Sequence, residues 1–208
     1  MARLLLLALA SALVLGGAQL STARPALALG PGAVCVFEDP NAAMTLGHTG
    51  WGYRIGNTNQ WIYGATENFS NLPFVAPNHD IGYWDRVGTG NQMINAFHDP
   101  SVPTSGRKGV GRYLTFKCFS TGTSDVTNAN IARHKVRCGG YGLATNNSLV
   151  HTYNVLFAYY TSTPMPSPIG ITPNSWYAKL TQPAWTRAIN LVQLDSSGSG
   201  ADPGGSCP

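Results

Sequence analysis

The order of apolar and polar positions predicts antiparallel strands in the first half of the chain and helices in the second half. Residues 33–37 are apolar throughout, which is typical of a buried strand. Between residues 47 and 67, two aromatic-rich runs flank a cluster of glycine and asparagine, and this pattern predicts a β-hairpin. Residues 113–119 alternate well enough to predict a further strand.

The hairpin gives one histidine a distinctive position. Because successive side chains of a strand point to opposite faces, Trp51, Tyr53 and Ile55 share one face of the first run. The other face carries His48, Gly50, Gly52 and Arg54. A histidine among glycines is expected to have open space above it, as in a cleft. The hairpin register also pairs His48 with Glu67, at a Cβ separation of roughly 4.5–5.5 Å that lets a carboxylate orient an imidazole.

The rest of the pattern predicts a long loop and three helices. Residues 68–111 are rich in proline, glycine and asparagine and are interpreted as loop. Capping residues followed by apolar side chains at helical spacing occur three times. They are Ser124-Asp125 ahead of residues 126–137, Asn146-Asn147 ahead of Leu149, Tyr153, Leu156 and Tyr160, and Asn174-Ser175 ahead of Trp176, Tyr177 and Leu180. The fold class that follows is α+β, with an antiparallel sheet and its histidine-bearing hairpin packed on helices.

The first 28 residues have the pattern of a secretion signal. Arg3 is followed by an apolar run over residues 4–14, and Ala26-Leu27-Ala28 fits the small-x-small cleavage rule. We therefore expect a secreted, extracellular protein with no stable membrane insertion once the signal is removed. Residues 29–195 are expected to form one domain, and residues 196–208 form a Gly/Ser-rich tail.

The cysteines predict disulfides rather than a metal site. All four of them, Cys35, Cys118, Cys138 and Cys207, follow the signal. An even count in an exported chain predicts two disulfides, for which three connectivities are open. We favour Cys118–Cys138 together with Cys35–Cys207. The spacing matches no zinc site, so neither a metal nor a cofactor is expected.

The charge pattern argues against a nucleic-acid partner. The net charge of +4 falls to about +2 when the signal, with its two arginines and no acid, is removed. The main basic concentration consists of Arg107, Lys108, Arg112 and Lys117. Because no recognition motif is interleaved with it, we interpret it as a solvated loop and strand face, which could also favour an anionic polymer such as cell wall.

Two stretches together resemble a known family. The first is a strand, residues 34–37, followed by His-x-Gly-aromatic on a second strand and aromatic-x-Tyr-Gly-Ala on a third. The second is Tyr-Gly-Leu-Ala-Thr-Asn-Asn-Ser, residues 141–148, which leads into an amphipathic helix that ends in Tyr-Tyr. This order is similar to the permuted papain-like fold of NlpC-type cell-wall peptidases and lecithin–retinol acyltransferases. In the acyltransferase branch the histidine comes first, on a strand, and an Asn-Cys pair later opens a helix with the nucleophile.

The resemblance implies a site of three catalytic residues. His48 takes the place of the general base, Glu67 is the candidate orienting group, and Ser148 stands where the family has its nucleophilic cysteine. The exchange matters because a helix N-terminus lowers the pKa of a thiol towards thiolate but leaves a hydroxyl un-ionised. Ser148 would therefore need His48 to remove its proton during attack, as in a Ser-His-acid triad.

Two functions follow from this arrangement. In the first, the chain is an amide or ester hydrolase or an acyltransferase, and backbone N–H groups near Ser148 hold the oxyanion. In the second, it is a catalytically inactive relative whose cleft binds cell-wall peptide, glycan or lipid. The tryptophans expected to contact such a ligand are Trp51, Trp61 and Trp84.

Two other residues near the site are interpreted as structural. His151, one helical turn after Ser148, is expected on the helix surface. Cys138 is a rival nucleophile, but a helix C-terminus raises the pKa of a thiol, so a disulfide explains it better.

Overall fold

An antiparallel sheet packs against helices in the computed structural model of the chain, so the α+β class is confirmed. The structure describes residues 31–68, 72–98 and 113–192, together with residues 194, 198, 200–202 and 207. The predicted signal, residues 1–28, and much of the tail predicted for residues 196–208 lie outside the described residues.

The elements follow the predicted order of strands first and helices later, with two additions. The strands are β1 (Gly32–Asp39), β2 (His48–Arg54), β3 (Gln60–Thr66), β4 (Phe74–Val75), β5 (Tyr83–Thr89), β6 (Thr115–Thr121), β7 (Tyr141–Gly142) and β8 (Ile189–Asn190). The helices are α1 (Ala42–Thr45), α2 (Gly90–His98), α3 (Val126–Cys138), α4 (Ser148–Tyr159) and α5 (Pro173–Ala178). The two additions of five residues or more are β5 and α2, both of which fall in the stretch interpreted as loop; the shorter α1, β4 and β8 were also not predicted.

The sheet has the predicted hairpin at its centre. Its strand order is β5-β3-β2-β1-β6-β8, with every pairing antiparallel, and β4 pairs separately with β7. Within the hairpin, Gly50 lies opposite Ala65 and Arg54 lies opposite Trp61, which is the predicted register. The same register, continued for two residues, places His48 across from Glu67.

Helices cover both faces of the sheet, so each face buries its own apolar cluster. On one face, here the α4 face, α4 and α5 pack over the sheet. Side chains of this cluster include Trp51, Tyr53, Leu149, Leu156, Tyr159 and Trp176. On the other face, the α2 face, α2 packs over the sheet, and the cluster includes Phe37, Tyr63, Met93, Phe97, Tyr113 and Phe116. Because side chains alternate along a strand, consecutive residues of β2 point into different clusters.

The loop interpretation of residues 68–111 is wrong for β5 and α2. A charged pair, Asp85 and Arg86, lies inside β5 and hides the strand pattern. Asp85 is nevertheless buried, because Arg133 and Arg137 of α3 bind its two carboxylate oxygens at 2.6 Å and 2.8 Å. Removing a charge from water is unfavourable unless it is paired, and only the folded chain supplies these arginines.

A local signal for α2 was present in the sequence. The backbone N–H of Thr89 donates to Gln92 Oε1 at 2.8 Å, and the Gln92 N–H donates to Thr89 Oγ1 at 3.3 Å. This reciprocal pair is a capping box of the form Thr-x-x-Gln, which marks the start of a helix. The helix could therefore have been predicted from the sequence.

Two disulfides are present, but the favoured connectivity is wrong. Cys35 bonds to Cys118, which is its register partner across β1 and β6, with the two Cα atoms 4.1 Å apart. Cys138 bonds to Cys207 and ties the end of the chain to α3. Cys118 cannot also pair with Cys138, because its register partner on the neighbouring strand, Cys35, already occupies it. Two disulfides are compatible with an extracellular protein.

The helix starts agree with two of the three predicted caps. Asp125 caps α3 and Asn147 caps α4, each by accepting a backbone N–H. At α5 the cap is Thr172, so the prediction of Asn174-Ser175 is wrong. Pro173 has no N–H and takes the first helical position, so the cap lies two residues before Asn174. In the part of the chain that the structure describes, the helices are too short or too polar to cross a membrane.

Lys117 does not lie on a solvated face as predicted. It is 9% exposed, and its ammonium donates to the carbonyl oxygens of Tyr177 and Leu180 at 2.9 Å each. These carbonyls lie at the end of α5 and just beyond it, where a cation is favourable because the carbonyl groups point outward. The other three basic residues of that concentration lie outside the described residues.

Candidate functional site

Strands β1, β2, β3, β5 and β6 meet at one end of the sheet, here named the His48 end. β1 and β3 finish there, and β2, β5 and β6 begin there. α4 starts at the same end, because Thr152 donates to the carbonyl of Thr49 at 3.3 Å and Tyr159 donates to the carbonyl of Arg54 at 2.7 Å. The predicted site residues His48, Glu67 and Ser148 therefore all belong to this end of the molecule.

The predicted contact between His48 and Glu67 is present. Nε2 of His48 lies 3.2 Å from Oε2 of Glu67, and the two side chains are 12% and 7% exposed. The distance is that of an ion pair, but Nε2 has no aligned hydrogen bond, so the ring is turned slightly away from the carboxylate. Since Nε2 is buried, solvent reaches the ring at its other atoms. The carboxylate thus orients an imidazole that is still accessible.

Two aromatic side chains fix the carboxylate of Glu67. The indole N–H of Trp84 donates to Oε1 at 2.7 Å, and the hydroxyl of Tyr113 donates to the same oxygen at 3.2 Å. The ring of Tyr113 also lies beside His48, with the ring centroids 5.8 Å apart. Sequence reasoning missed Tyr113 in this role, because it lies just ahead of β6, far from the hairpin in the chain.

The expected open space above the glycines of β2 is filled, so that prediction is wrong. A Cβ atom at Gly50 would lie 2.4 Å from a ring carbon of Phe97, and one at Gly52 would lie 2.5 Å from the sulfur of Met93. Both side chains belong to α2, which was not predicted. The glycines therefore allow a helix to pack closely on the sheet, and only the end of the strand, at His48, is left accessible.

Ser148 is the first residue of α4 and is buried. Its helix covers the α4 face, whereas the side chain of His48 shares the α2 face with Gly50. Among the described residues, no hydrogen bond or ion pair joins Ser148 to His48. The structure therefore brings His48 and Glu67 together and places Ser148 at the start of the helix that covers the α4 face.

The first turn of α4 is closed by its own cap. The N–H groups of Leu149 and Val150 each donate to Asn147 Oδ1 at 3.1 Å, and the N–H of His151 donates to the Asn147 carbonyl at 2.9 Å. These donors are the groups expected to hold an oxyanion. They are occupied as long as the Asn147 cap stays in place.

His151 is buried in the interior, so its predicted surface location is wrong. It is 1% exposed, and both ring nitrogens have partners. Nε2 donates to Asn146 Oδ1 at 2.9 Å, which leaves Nδ1 to accept from the Thr66 hydroxyl at 3.0 Å. Burial, with a smaller electrostatic contribution from His48, lowers the pKa of His151 to about 4. The ring is therefore neutral at neutral pH and serves to hold α4 against β3.

The tryptophans proposed as ligand contacts are core residues. Trp51, Trp61 and Trp84 are 0%, 4% and 5% exposed, so the expectation that they line a binding cleft is wrong. Because helices cover both faces of the sheet, aromatic side chains on either face of a strand are buried in the core. Within the ranges that the structure describes, no group of three or more His, Cys, Asp or Glu side chains is placed to hold a metal ion.

Exposed apolar side chains concentrate at the His48 end. Of the nine large hydrophobic residues exposed in the described part of the chain, six belong to segments at this end. They are Met44 and Leu46 ahead of β2, Leu72 and Phe74 after β3, Leu114 ahead of β6, and Leu143, whose N–H donates to the carbonyl of Pro73. Such a concentration is typical of a surface that contacts a ligand or partner. Sequence reasoning missed it because the six residues come from four separate segments.

The site therefore combines an accessible histidine, a fixed carboxylate and an apolar surround. No family model, curated protein or solved structure matches the chain.

Proposed function

We propose that the chain is a secreted amide or ester hydrolase, or an acyltransferase, in which His48 is the general base and Glu67 orients it. The observation that carries the proposal is the 3.2 Å contact between the two side chains in a largely buried setting. Trp84 and Tyr113 hold the carboxylate in place, so the imidazole faces a fixed partner. A histidine oriented by a carboxylate is the usual general base of acyl transfer.

The arrangement of elements supports the permuted papain-like resemblance as part of this proposal. That resemblance implies a histidine at the start of a strand and, later in the chain, a nucleophile at the start of a helix. His48 is the first residue of β2 and Ser148 is the first residue of α4, and both elements begin at the same end of the sheet. Secretion belongs to the proposal as well, and the two disulfides are compatible with it.

In the proposed reaction Ser148 is the nucleophile. Its Oγ bonds to the carbonyl carbon of the substrate while its proton passes to the imidazole of His48. The imidazolium, stabilised by Glu67, returns that proton to the departing alcohol or amine. Water or another acceptor then takes the acyl group from Ser148. The reaction requires Ser148 Oγ to come within hydrogen-bond reach of the His48 imidazole, to which no hydrogen bond joins it among the described residues.

The test replaces the nucleophile with one whose ionisation can be measured. In Ser148→Cys, the helix N-terminus and His48, once within reach of the thiol, should together lower the pKa of the new thiol well below the ordinary value of about 8.5. The rate of iodoacetamide labelling against pH should show an inflection below about pH 7 that disappears when His48→Ala is added. Ser124→Cys, near the start of α3 at the opposite end of the sheet, is the matched control. A Ser148→Cys thiol that is indifferent to His48 would overturn the catalytic proposal.

A second function, a catalytically inactive binding module, is favoured by two observations. Among the described residues no hydrogen bond or ion pair joins Ser148 to His48, and the exposed apolar side chains concentrate at the His48 end. The ligand would then be a lipid or another partly apolar molecule. Phe74→Ser should reduce retention on uncharged lipid vesicles, and Ile169→Ser, which changes an exposed side chain in none of these four segments, should not. Equal retention of both variants would exclude binding through this surface.

A further inference from the structure

The backbone ahead of His48 has an unusual conformation. Ala43, Met44 and Thr45 have φ angles of 49°, 56° and 70°, and Gly47 has a φ of 92°. Positive φ is uncommon for residues other than glycine, because Cβ then crowds the backbone. Three such residues in a row persist only when the surrounding structure holds them, and such segments occur preferentially at functional sites.

Asn174 of α5 holds this turn at several points. Its side-chain amide donates to the carbonyl oxygens of Pro40 at 3.0 Å and Thr45 at 2.9 Å, and its backbone N–H donates to the carbonyl of Leu46 at 3.1 Å. One side chain therefore joins the beginning of the turn to its end. The helix cap at Thr172 explains why Asn174 is available for this contact, since it does not cap its own helix.

Gly47 brings Asn174 directly against the residue that precedes His48. A Cβ atom at Gly47 would fall on the Asn174 amide, so a residue with a side chain would displace it. His48 follows as the first residue of β2. It lies opposite Asp39 of β1 on one side, and on the other side it faces Glu67, the residue that follows β3. The direction in which the chain enters β2 is therefore set at Gly47, by Asn174.

We propose that Asn174 is a positioning residue for His48: it holds residues 43–45 and Gly47 in their left-handed conformation and so places the imidazole against Glu67 and Tyr113. The inference rests on the proposed role of His48, but it concerns geometry and can be tested without a substrate. If His48 is the base, a displacement of about 1 Å is enough to lower kcat/KM by about 10- to 100-fold.

The test is an NMR measurement on the full protein. In the native protein the ring protons of His48 should show a nuclear Overhauser effect to the ring of Tyr113, whose centroid is 5.8 Å away. Asn174→Ala should shift the His48 ring signals and remove this effect, while the signals of His151 on the other face stay in place. Ser175→Ala, a change at the next position of α5, is the matched control and should leave both histidines unchanged. His48 signals that are the same in Asn174→Ala and the native protein would overturn the proposal.

A second variant keeps the test decisive if Asn174→Ala folds poorly. Glycine adopts positive φ without strain, so Met44→Gly with Thr45→Gly should let the turn form with less help from Asn174. In that background, Asn174→Ala should weaken the nuclear Overhauser effect between His48 and Tyr113 less than it does in the native protein. The effects of the substitutions would then be non-additive in a double-mutant cycle. Full additivity would contradict the positioning role. An unchanged His48 geometry would refute the role of Asn174 alone, whereas absent ester or amide turnover with intact His48 geometry would refute the proposed function alone.

Discussion

His48 and His151 contact neighbouring residues of the same strand end, yet their environments differ completely. His48 approaches Glu67 on the α2 face and keeps 12% side-chain exposure. His151 bonds to Thr66, one residue earlier, on the α4 face and is 1% exposed. The first has a charged partner and access to solvent, and the second has neutral partners and none. The comparison teaches that the partner and the exposure, rather than the residue type, decide which histidine is suited to proton transfer.

The alternation of the strand is the physical reason for the difference. Consecutive residues point to opposite faces, so Thr66 and Glu67 direct a hydroxyl one way and a carboxylate the other. α4 seals the first face, and the second face is sealed by α2 only as far as Gly50 and Gly52. His48, at the end of β2 that α2 does not cover, thus remains accessible to solvent. His151, packed against Thr66 under α4, does not.

The largest effect is expected when the accessible histidine is removed. His48→Ala should lower the rate of ester or amide hydrolysis by about 10²- to 10⁴-fold, the usual contribution of a general base. His151→Gln, which keeps hydrogen-bonding groups near Thr66, is the control and should retain most of the rate. Both variants are compared by kcat/KM on the same substrate. Equal losses in the two would show that the histidines are not functionally distinct.

The pH dependence of the free energy of unfolding should reveal the buried histidine, His151. The pKa of His151 is about 4 in the folded protein and about 6.5 when unfolded, so between these values the unfolded chain binds more protons. Stability should therefore be complete above about pH 6.5 and fall by about 3 kcal/mol as the pH drops towards 4. Urea unfolding at each pH measures this, and the difference from His151→Gln isolates it from the carboxyl groups. Parallel pH profiles of the two proteins would contradict the assignment.

Thr66→Val tests the buried polar contact on the α4 face. The substitution keeps the shape of the side chain but leaves Nδ1 of His151 without a donor, which should reduce the free energy of unfolding by about 1–2 kcal/mol. Thr58→Val in the exposed hairpin turn, where the hydroxyl donates to the Ile55 carbonyl, is a control at the other end of the same hairpin. A cost no larger than that of the control would mean that His151 is not held by Thr66.

The smallest change in stability is expected for Glu67→Gln. Glutamine keeps an oxygen for Trp84 and Tyr113, and it removes the desolvation cost of a buried carboxylate together with the contact to His48. The free energy of unfolding should therefore change by less than about 1 kcal/mol. Catalysis should nevertheless fall, because the amide cannot stabilise an imidazolium as a carboxylate does. Chemical denaturation and kcat/KM are measured on the same preparation. A large loss of stability with an unchanged rate would contradict the prediction and would mean that Glu67 has a structural role and not a catalytic one.

The hairpin and its polar pair followed from the sequence because they depend on local pairing. A turn of glycine and asparagine fixes which residues oppose each other, and that alone brought His48 to Glu67. The caps at Asp125 and Asn147 followed in the same way, since a capping side chain bonds to an N–H only two or three residues along the chain.

What the sequence by itself determined is therefore the α+β class, the hairpin register and the contact at its open end. Only the tertiary structure decided that α2 closes the glycine face, that the helix beginning at Ser148 covers the opposite face, and that Cys35 bonds to Cys118. It also decided that Asp85 can lie in a buried strand, because its two arginines come from α3. Each of these depends on contacts between residues far apart in the chain, and no local pattern of side chains encodes which face of a sheet a distant helix will cover.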